Sequence, residues 1–186
     1  MNILKMIKIV KKAIKNFFFG SKNYLNSRTQ LNSIYDFSLI DDNGQVVDLE
    51  KYKGKKLLIV NTASNCRYTH QYDDLETLSQ NFANKLEVVA FPCNDFGKQE
   101  QGSNEQINEF CRINYGVSFK VMPKTKIIKS TESNVFYWLS HKSCNGWNDQ
   151  VPIWNFWKFL IDEEGKLIAI FSSRPNPLSK KLISLL

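Results

Sequence analysis

Four cysteines are the residues of this sequence whose type alone permits nucleophilic or redox chemistry. They are Cys66, Cys93, Cys111 and Cys144. The sequence holds no CxxC pair and no cluster of cysteine with histidine, which argues against a structural zinc site. A chain of 186 residues can bury a full core without a disulfide framework. Most thiols of this kind are small buried side chains, so each cysteine needs a further argument before it is given a chemical role.

Cys66 has such an argument in its position along the chain. It follows the continuous apolar run 57–61, which predicts a strand buried on both faces of an α/β sheet. It precedes residues 69–82, whose apolar side chains recur at helical spacing. A thiol between a strand end and a helix start lies at the edge where ligands bind, and the positive end of the helix favours its thiolate. Position therefore makes Cys66 a candidate nucleophile, with a packing residue as the alternative.

Three segments resemble the motifs of the glutathione peroxidase family. Residues 61–72 (NTASNCRYTHQY) resemble its peroxidatic motif, and residues 91–103 (FPCNDFGKQEQGS) resemble its second motif. Residues 154–160 (WNFWKFL) resemble its third motif, WNFxKF. The likeness runs from about residue 33 to the C-terminus, in the order and spacing of the family. It implies a thioredoxin-like fold and a peroxidase activity.

The resemblance implies a catalytic tetrad. Its members are Cys66, Gln99, Trp154 and Asn155. The Cys66 thiolate would attack the distal oxygen of a peroxide, release water or an alcohol, and become a sulfenic acid. The other three side chains are uncharged N–H donors that would stabilise the thiolate and the developing negative charge. The expected substrates are hydrogen peroxide and organic or lipid hydroperoxides.

A fourth segment, residues 110–119 (FCRINYGVSF), resembles the part of thioredoxin-dependent members that carries the resolving cysteine. Glutathione-dependent members commonly lack that cysteine. The resemblance implies that Cys111 attacks the oxidised Cys66 to form a disulfide, which a thioredoxin-like dithiol then reduces. Because Cys111 falls near the end of a helix predicted over residues 103–112, we expect local unwinding in this step. Thioredoxin is favoured over glutathione as the reducing co-substrate, and no bound cofactor is expected.

Several positions depart from the usual motifs of the family. Arg67 and His70 stand where Gly and Pro are usual, Asp95 where Gln is common, and Gln101 where Pro is common. These changes bear on the preference for substrate or reductant and leave the tetrad intact. We expect His70 to be exposed, since family members work without it. Of the remaining thiols, we expect Cys93 to pack the end of a strand and Cys144 to lie in a loop.

Periodicity and turn residues predict the elements that position these residues. Strands are predicted at residues 33–40, 45–49, 57–61, 86–91, 124–128, 159–161 and 166–171. Helices are predicted at residues 69–82, 103–112 and 134–140, with a terminal helix starting at Asn176-Pro177. The order is a β-hairpin, then β-α-β-α-β, then β-β-α. This order predicts an α/β fold with a mixed central sheet, helices on both faces and an N-terminal β-hairpin.

The charge of the chain is concentrated in its first part. Residues 1–35 hold seven basic and no acidic side chains, whereas the remainder holds 18 of each sign. A neutral body argues against binding of nucleic acid through a basic face. The spacing of residues 3–18 predicts an amphipathic lysine-rich helix, and we divide the chain into an extension and linker (1–32) and a peroxidase domain (33–186). The extension could attach to a membrane surface, serve as a targeting peptide or be a plain tail.

The leading functional hypothesis is therefore a thiol peroxidase recycled by a thioredoxin-like reductant. A redox relay that passes the disulfide to a partner protein, a glutathione-dependent peroxidase and a non-catalytic membrane-surface protein are the alternatives. The stretch from residue 136 to residue 154 is short, which by analogy with the family suggests a monomer or weak dimer with an open active site. The cytosol is the default location, because a thiol cycle needs a compartment with a dithiol reductant.

Overall fold

The computed structural model describes residues 33–131 and 134–186, together with the backbone of residues 21–23. The amphipathic helix predicted over residues 3–18 lies outside the described residues. In the part of the chain that is described, no helix combines the length and the apolar character needed to cross a bilayer.

Eight strands and five α-helices are described. The strands are β1 (Ser21–Asn23), β2 (Ser38–Ile40), β3 (Val46–Asp48), β4 (Lys56–Thr62), β5 (Leu86–Pro92), β6 (Lys120–Val121), β7 (Lys158–Ile161) and β8 (Leu167–Phe171). The helices are α1 (Gln71–Asn81), α2 (Asn104–Tyr115), α3 (Val135–Ser140), α4 (Lys142–Asn145) and α5 (Lys180–Ile183). β2 and β3 form the predicted N-terminal hairpin, and the other six strands form one sheet in the order β1-β8-β7-β4-β5-β6. β4, β5 and β6 are parallel, whereas β7, β8 and β1 add antiparallel, so the predicted mixed sheet is confirmed.

Strand β4 separates two apolar clusters. Leu57 and Ile59 point into a cluster shared with the hairpin and α3, whereas Leu58 and Val60 point into a cluster shared with α1 and α2. All four side chains are fully buried. Because successive side chains of a strand point to opposite faces, the run of apolar residues is the pattern that a doubly covered strand requires. Each such side chain contributes about 2 kcal/mol of hydrophobic stabilisation.

The hairpin begins later than predicted. Ser33 and Asp36 form a capping box, in which the Ser33 hydroxyl accepts from Tyr35 N–H and the Asp36 carboxylate accepts from Ser33 N–H. This arrangement closes a turn of 3-10 helix over Ile34–Asp36, so the strand predicted from residue 33 starts only at Ser38.

The strand predicted at residues 124–128 is wrong, and β6 lies earlier, at Lys120–Val121. Side chains from distant segments occupy the backbone N–H groups that a strand would have used. Asn104 accepts from Lys124 N–H at 3.0 Å, and Asp95 accepts from the N–H groups of Ile127 and Ile128 at 2.6 and 2.9 Å. The segment is therefore held by side-chain acceptors instead of a ladder.

The helix ends follow the capping residues in two cases out of three. Ser103 and Gln106 form the predicted capping box of α2, and Asn134 caps α3 as predicted. The terminal helix does not start at Asn176, because the Asn176 side chain accepts from Leu178 N–H and closes a turn. α5 begins only after Ser179.

Strand β1 falls within the segment predicted as a polar linker. Its backbone pairs antiparallel with β8, with Ser21 opposite Phe171 and Asn23 opposite Ala169. A ladder is made of backbone groups, so three polar residues can form an edge strand without any apolar signal in the sequence.

Candidate active site

Cys66 lies on the loop between β4 and α1, and Thr69 shapes this loop. The buried Thr69 hydroxyl accepts from Cys66 N–H at 2.9 Å and lies 2.9 Å from the carbonyl oxygen of Ala63. The Cys66 side chain is only partly buried, and its Sγ accepts from Tyr68 N–H at 3.5 Å. A fixed loop therefore presents a reachable thiol whose sulfur already receives one backbone donor.

Gln99 lies on the loop that follows β5, the parallel neighbour of β4. Because parallel strands end at the same edge of a sheet, this loop meets the loop of Cys66. The two are joined by a hydrogen bond from Asn65 N–H to the Gln99 carbonyl at 3.0 Å. Gly97 turns the chain with φ of 66°, and a Cβ there would lie 3.3 Å from Cη2 of Trp154. Glycine is thus required both by the backbone conformation and by the close approach of the indole ring.

Asn155 is fully buried in the segment just before β7, and β7 starts at the same end of the sheet because it is the antiparallel neighbour of β4. Its Nδ2 donates to Oε1 of Gln99 at 3.2 Å and to the carbonyl of Phe96 at 3.4 Å. Its own carbonyl accepts from the Ser173 hydroxyl. Side-chain and backbone contacts therefore hold the two amides of the predicted tetrad together.

Asn61 holds the segment of Trp154 and Asn155 in place, and the sequence reasoning assigned it no role. Its Nδ2 donates to the Trp154 carbonyl at 3.0 Å, and its Oδ1 accepts from Trp157 N–H at 2.8 Å. The backbone of Asn61 pairs with the same segment, through Trp157 O and Phe156 N–H. The signal in the sequence was a polar residue at the end of the apolar run 57–61.

Lys158 is a second residue with an unpredicted position. Its ammonium is completely buried and donates to the backbone carbonyls of Phe156 at 2.9 Å and Pro175 at 3.0 Å. The backbone carbonyls of Ser172 and Ser173 accept from it at the longer distances of 3.5 and 3.4 Å. Burial lowers the pKa of Lys158 to about 7, and the charge of Asp74 opposes this shift. Lys158 thereby ties the tetrad segment to the chain after β8.

Phe156 shows how tightly this segment is held. It adopts the left-handed conformation with φ of 64°, which is unfavourable for a bulky residue. Its ring is fully buried and meets Tyr72 edge to face, with 5.5 Å between centroids. The hydrogen bonds of Asn61 and Lys158 at its backbone N–H and carbonyl balance the strain.

A cleft of about 300 Å³ opens beside these loops. Ser64, Asn65 and Gln99 of the two loops line it, together with Ile107 and Phe110 of α2. Of the predicted site residues, the structure joins Gln99 to Asn155 and places the Trp154 ring beside Gly97, two residues from Gln99.

Cys111 is not part of this assembly. It is 1% exposed within α2 and is a free thiol, as is Cys66. Burial raises the pKa of the Cys111 thiol to about 11, the nearby Tyr72 hydroxyl opposes this shift, and the negative charge of Glu100 adds to it. The expected unwinding of α2 during resolution therefore stays a prediction.

Comparison with known proteins gives this arrangement a family. Residues 34–140 match the family model described as Glutathione peroxidase. A glutathione peroxidase of Lactococcus lactis subsp. cremoris is 41% identical over 146 residues, which covers 78% of this chain and 92% of the relative. The glutathione peroxidase-like peroxiredoxin 2 of Saccharomyces cerevisiae is 42% identical over 157 residues, covering 83% and 97%.

The chain belongs to the glutathione peroxidase family. It is a peroxidase, and this confirms the prediction of an oxidoreductase that acts on hydroperoxides. A thioredoxin-family thiol:disulfide interchange protein from Chlorobium tepidum superimposes with a TM-score of 0.58 at 16% identity, covering 86% of this chain and 97% of that one. At that identity the likeness concerns the fold alone, and it confirms the thioredoxin-like architecture.

The structure gives the contacts of two residues that depart from the motifs of the family. The Asp95 carboxylate accepts from the backbone at residues 127 and 128, so it organises that loop. His70 is exposed, as predicted, and its Nδ1 lies 3.1 Å from the Arg67 carbonyl.

The two remaining thiols lie outside the tetrad. Cys93 is fully buried after β5, and burial raises its pKa to about 12, so the prediction of a packing residue is confirmed. Cys144 is half-buried in the short helix α4, so the prediction that it lies in a loop is wrong.

Proposed function

We propose that this peroxidase reduces hydroperoxides through the thiolate of Cys66. Attack on the distal peroxide oxygen forms an S–O bond and breaks the O–O bond, so that the sulfur becomes a sulfenic acid. The departing alkoxide or hydroxide takes up the proton that the thiol released. The hydrogen bond between the side chains of Asn155 and Gln99 carries this proposal. The backbone carbonyl of Gln99 also accepts from the N–H of Asn65, the residue before Cys66, so Gln99 links Asn155 to the loop of the thiol.

The polar groups of the tetrad are suited to stabilise charge at the sulfur. Because Oε1 of Gln99 accepts from Asn155, the Nε2H₂ group of the same amide points away from Asn155 and is free to donate elsewhere. We assign Gln99 and Trp154 the role of N–H donors to the thiolate and to the oxygen that departs. Asn155 orients the Gln99 amide, since the two N–H groups of its Nδ2 already donate to Gln99 Oε1 and to the Phe96 carbonyl. Fixed neutral donors in a partly closed site stabilise developing charge without reorganisation during the reaction.

The test is peroxide consumption by Cys66→Ser and by Gln99→Ala, measured with an excess of a thioredoxin system. We expect Cys66→Ser to lose turnover, and Gln99→Ala to slow oxidation of Cys66 by about 100-fold, the usual effect of removing one such donor. Cys144→Ser is the matched control and should behave as the wild type. Turnover by Cys66→Ser would overturn the proposal, and wild-type consumption that stops after about one equivalent would favour a redox relay.

We further propose that Cys111 resolves the sulfenic acid and that a thioredoxin-like dithiol reduces the resulting disulfide. The segment of Cys111 resembles that of thioredoxin-dependent members, and one of the similar proteins is named a peroxiredoxin. Since Cys111 is buried in the middle of α2, the helix has to open before the two sulfurs meet. We expect Cys111→Ser to lose the turnover that depends on thioredoxin and to keep any turnover that depends on glutathione. If Cys111→Ser and the wild type turn over peroxide equally fast with thioredoxin, the two-cysteine cycle is refuted. A wild type that turns over faster with glutathione than with thioredoxin would identify glutathione as the reductant.

We propose that the enzyme is a monomer whose mouth admits bulky hydroperoxides. Only the short helix α4 lies between α3 and Trp154, and the side chains of Val151 and Ile153 are 43% and 37% exposed next to the tetrad segment. Sedimentation analysis should give one protomer. The rate constants for hydrogen peroxide and for a fatty-acid hydroperoxide should agree within about tenfold, since an enclosed site would separate them by far more.

We propose that residues 3–18 contact an anionic membrane surface. Ser21 pairs with the end of β8, which lies at the same end of the sheet as the end of β4. Ser21, which follows the extension in the chain, therefore lies at the end of the sheet that carries the loops of Cys66 and Gln99. The lysine-rich pattern fits a negatively charged bilayer. In this proposal the enzyme resides in the cytosol or, if the extension is a targeting peptide, in an organelle.

Liposome co-sedimentation tests the membrane proposal. Full-length protein should bind vesicles that contain phosphatidylserine, and a version starting at Gly20 should not, because it keeps β1 but lacks the lysine-rich segment. A full-length variant with Lys8, Lys11 and Lys15 changed to Gln is the charge control. Equal partitioning of all three proteins would remove the hypothesis.

A further inference from the structure

Glu100 is a buried carboxyl group that the tetrad does not use. It is 1% exposed, and its Oε2 has no hydrogen-bond partner among the described residues. The Ser64 hydroxyl and the Ser64 backbone N–H both lower the pKa of the carboxyl, although Ser64 Oγ has no hydrogen-bond partner in the described part of the chain. The backbone of Glu100 is held independently, because its N–H donates to Asn94 Oδ1 at 2.9 Å.

The burial of this carboxyl group has an energetic cost. Taking a carboxylate out of water is unfavourable unless it is paired, and an amide or an apolar side chain would fill the same volume without that penalty. Lys124, which lowers the pKa of Glu100, is exposed and donates to the carbonyl of Gly102 instead. Burial outweighs these effects and raises the pKa of the carboxyl above its usual value.

The position of Glu100 relates it to both cysteines of the proposed cycle. It lines the 300 Å³ cleft together with Ser64 and Asn65 from the loop of Cys66 and with Ile107 and Phe110 from the helix of Cys111. The cleft therefore lies between the two elements that have to approach each other for a disulfide to form. The negative charge of Glu100 raises the pKa of the Cys111 thiol and, as a lesser contribution, that of Tyr72, so the carboxyl acts on the resolving thiol already in the reduced protein.

We propose that the Glu100 carboxylate is the proton-transfer residue of the resolving step. As the Cys111 sulfur attacks the Cys66 sulfenic acid, the S–S bond forms and the S–O bond of Cys66 breaks. Glu100 takes the proton from the Cys111 thiol and delivers it to the departing hydroxide, which leaves as water. The sulfenic sulfur is reduced, the Cys111 sulfur is oxidised, and the carboxylate is regenerated. The inference rests on the proposed two-cysteine cycle.

The decisive comparison is Glu100→Gln against Glu109→Gln, an exposed glutamate on α2. Reduced protein is mixed with one equivalent of hydrogen peroxide and quenched in acid at successive times, and intact mass separates sulfenic acid from disulfide. Glu100→Gln should form the disulfide about 10- to 100-fold more slowly than the wild type near pH 7, the range expected for loss of a general base. The sulfenic acid should accumulate in that variant, whereas Glu109→Gln should follow the wild type.

The pH profile separates proton transfer from a loss of structure. The rate of disulfide formation in the wild type should change little between about pH 7 and pH 8, because the Glu100 carboxylate accepts the proton of the Cys111 thiol. In Glu100→Gln it should rise about tenfold per pH unit, as expected for a thiol that must ionise by itself below its pKa. Glu100→Asp keeps the carboxylate and should keep the flat profile, even if the shorter side chain lowers the rate.

The possible results each decide one of the two proposals. A Glu100→Gln variant that forms the disulfide within about twofold of the wild-type rate would overturn the role of Glu100 and leave the cycle standing. If Glu100→Gln does not fold, the wild-type and Glu100→Asp profiles decide, and a tenfold rise per pH unit in both would overturn the proposal. A wild type that forms no disulfide between Cys66 and Cys111 would overturn the cycle itself.

Discussion

The substitution Asn61→Asp tests whether the geometry of the predicted tetrad depends on Asn61, which holds the backbone of the Trp154–Asn155 segment and is not itself a member of the tetrad. Asn61 donates through Nδ2 to the Trp154 carbonyl and accepts through Oδ1 from Trp157 N–H, and it is fully buried. Aspartate keeps the acceptor but sets an oxygen against the Trp154 carbonyl. The contact is regained only if the carboxyl is protonated.

The expected loss of stability follows from the free-energy cost of keeping that carboxyl protonated. Holding an aspartic acid neutral near pH 7 costs about 1.4 kcal/mol for each unit above its unfolded pKa of about 3.9, or about 4 kcal/mol in total. The ionised route loses a buried hydrogen bond, at about 1–3 kcal/mol, and adds the cost of burying the charge. We therefore expect Asn61→Asp to lower the free energy of unfolding by about 3–4 kcal/mol near pH 7. A raised folded-state pKa means that the stability is present at low pH and lost as pH rises, so the deficit should shrink toward pH 4.

The assay is urea unfolding at several pH values, combined with the rate constant for oxidation of Cys66 by hydrogen peroxide. We expect oxidation to slow by about tenfold or more, because a small displacement of Trp154 and Asn155 would move the proposed donors away from the sulfur. Asn145→Asp is the matched control, since Asn145 is buried and donates to the carbonyls of Trp138 and Asn148, neither of which belongs to the predicted tetrad. It should be destabilised similarly and react with peroxide at the wild-type rate. Unchanged stability of Asn61→Asp, or equal loss of rate in both variants, would refute the reasoning.

Three further predictions follow from the site and its surroundings. Gly97→Ala should slow peroxide reduction and destabilise the fold by about 1–2 kcal/mol, checked by kinetics and urea unfolding, because φ of 66° is unfavourable for alanine and its Cβ would press on Trp154. Lys158 has a folded-state pKa of about 7, below its unfolded value of 10.5, so its contribution to stability should grow from pH 7 toward pH 10 and fade as pH falls. Unfolding of Lys158→Met should lack this pH dependence. In native protein, iodoacetamide should modify Cys66 well before Cys93, as mass spectrometry of digests would show, because Cys93 is buried with a pKa of about 12.

The sequence predicts those parts of the fold whose signals are local. The apolar runs predict β4 and β5, and the S-x-x-Q pattern at Ser103 predicts the start of α2. The strand predicted at residues 124–128 failed because Asp95 and Asn104 take its backbone N–H groups from 20 to 33 residues away. No window of neighbouring residues contains that competition.

The candidate site divides in the same way. Motifs identify Cys66, Gln99 and the Trp154-Asn155 pair, since their types and order are visible in the chain. The support beneath them is not visible, because Asn61 bonds to a segment 93 residues later and the buried ammonium of Lys158 looks like a surface charge in the sequence. Long-range hydrogen bonds decide such roles, and only three-dimensional contacts show them.

The short pairing of β1 with β8 has a consequence for solubility. Without Ser21–Asn23, the backbone of Ala169–Phe171 would form an open edge of the sheet. The β8 sequence LIAIF is rich in β-branched and aromatic residues without charge, which is the kind of segment that recruits strands from other molecules. A proteolytic cut before Ser21 would leave this edge covered, whereas a cut after Asn23 would release a body prone to edge-to-edge aggregation. By covering the backbone of β8, residues Ser21–Asn23 of the extension thus protect the body from self-association.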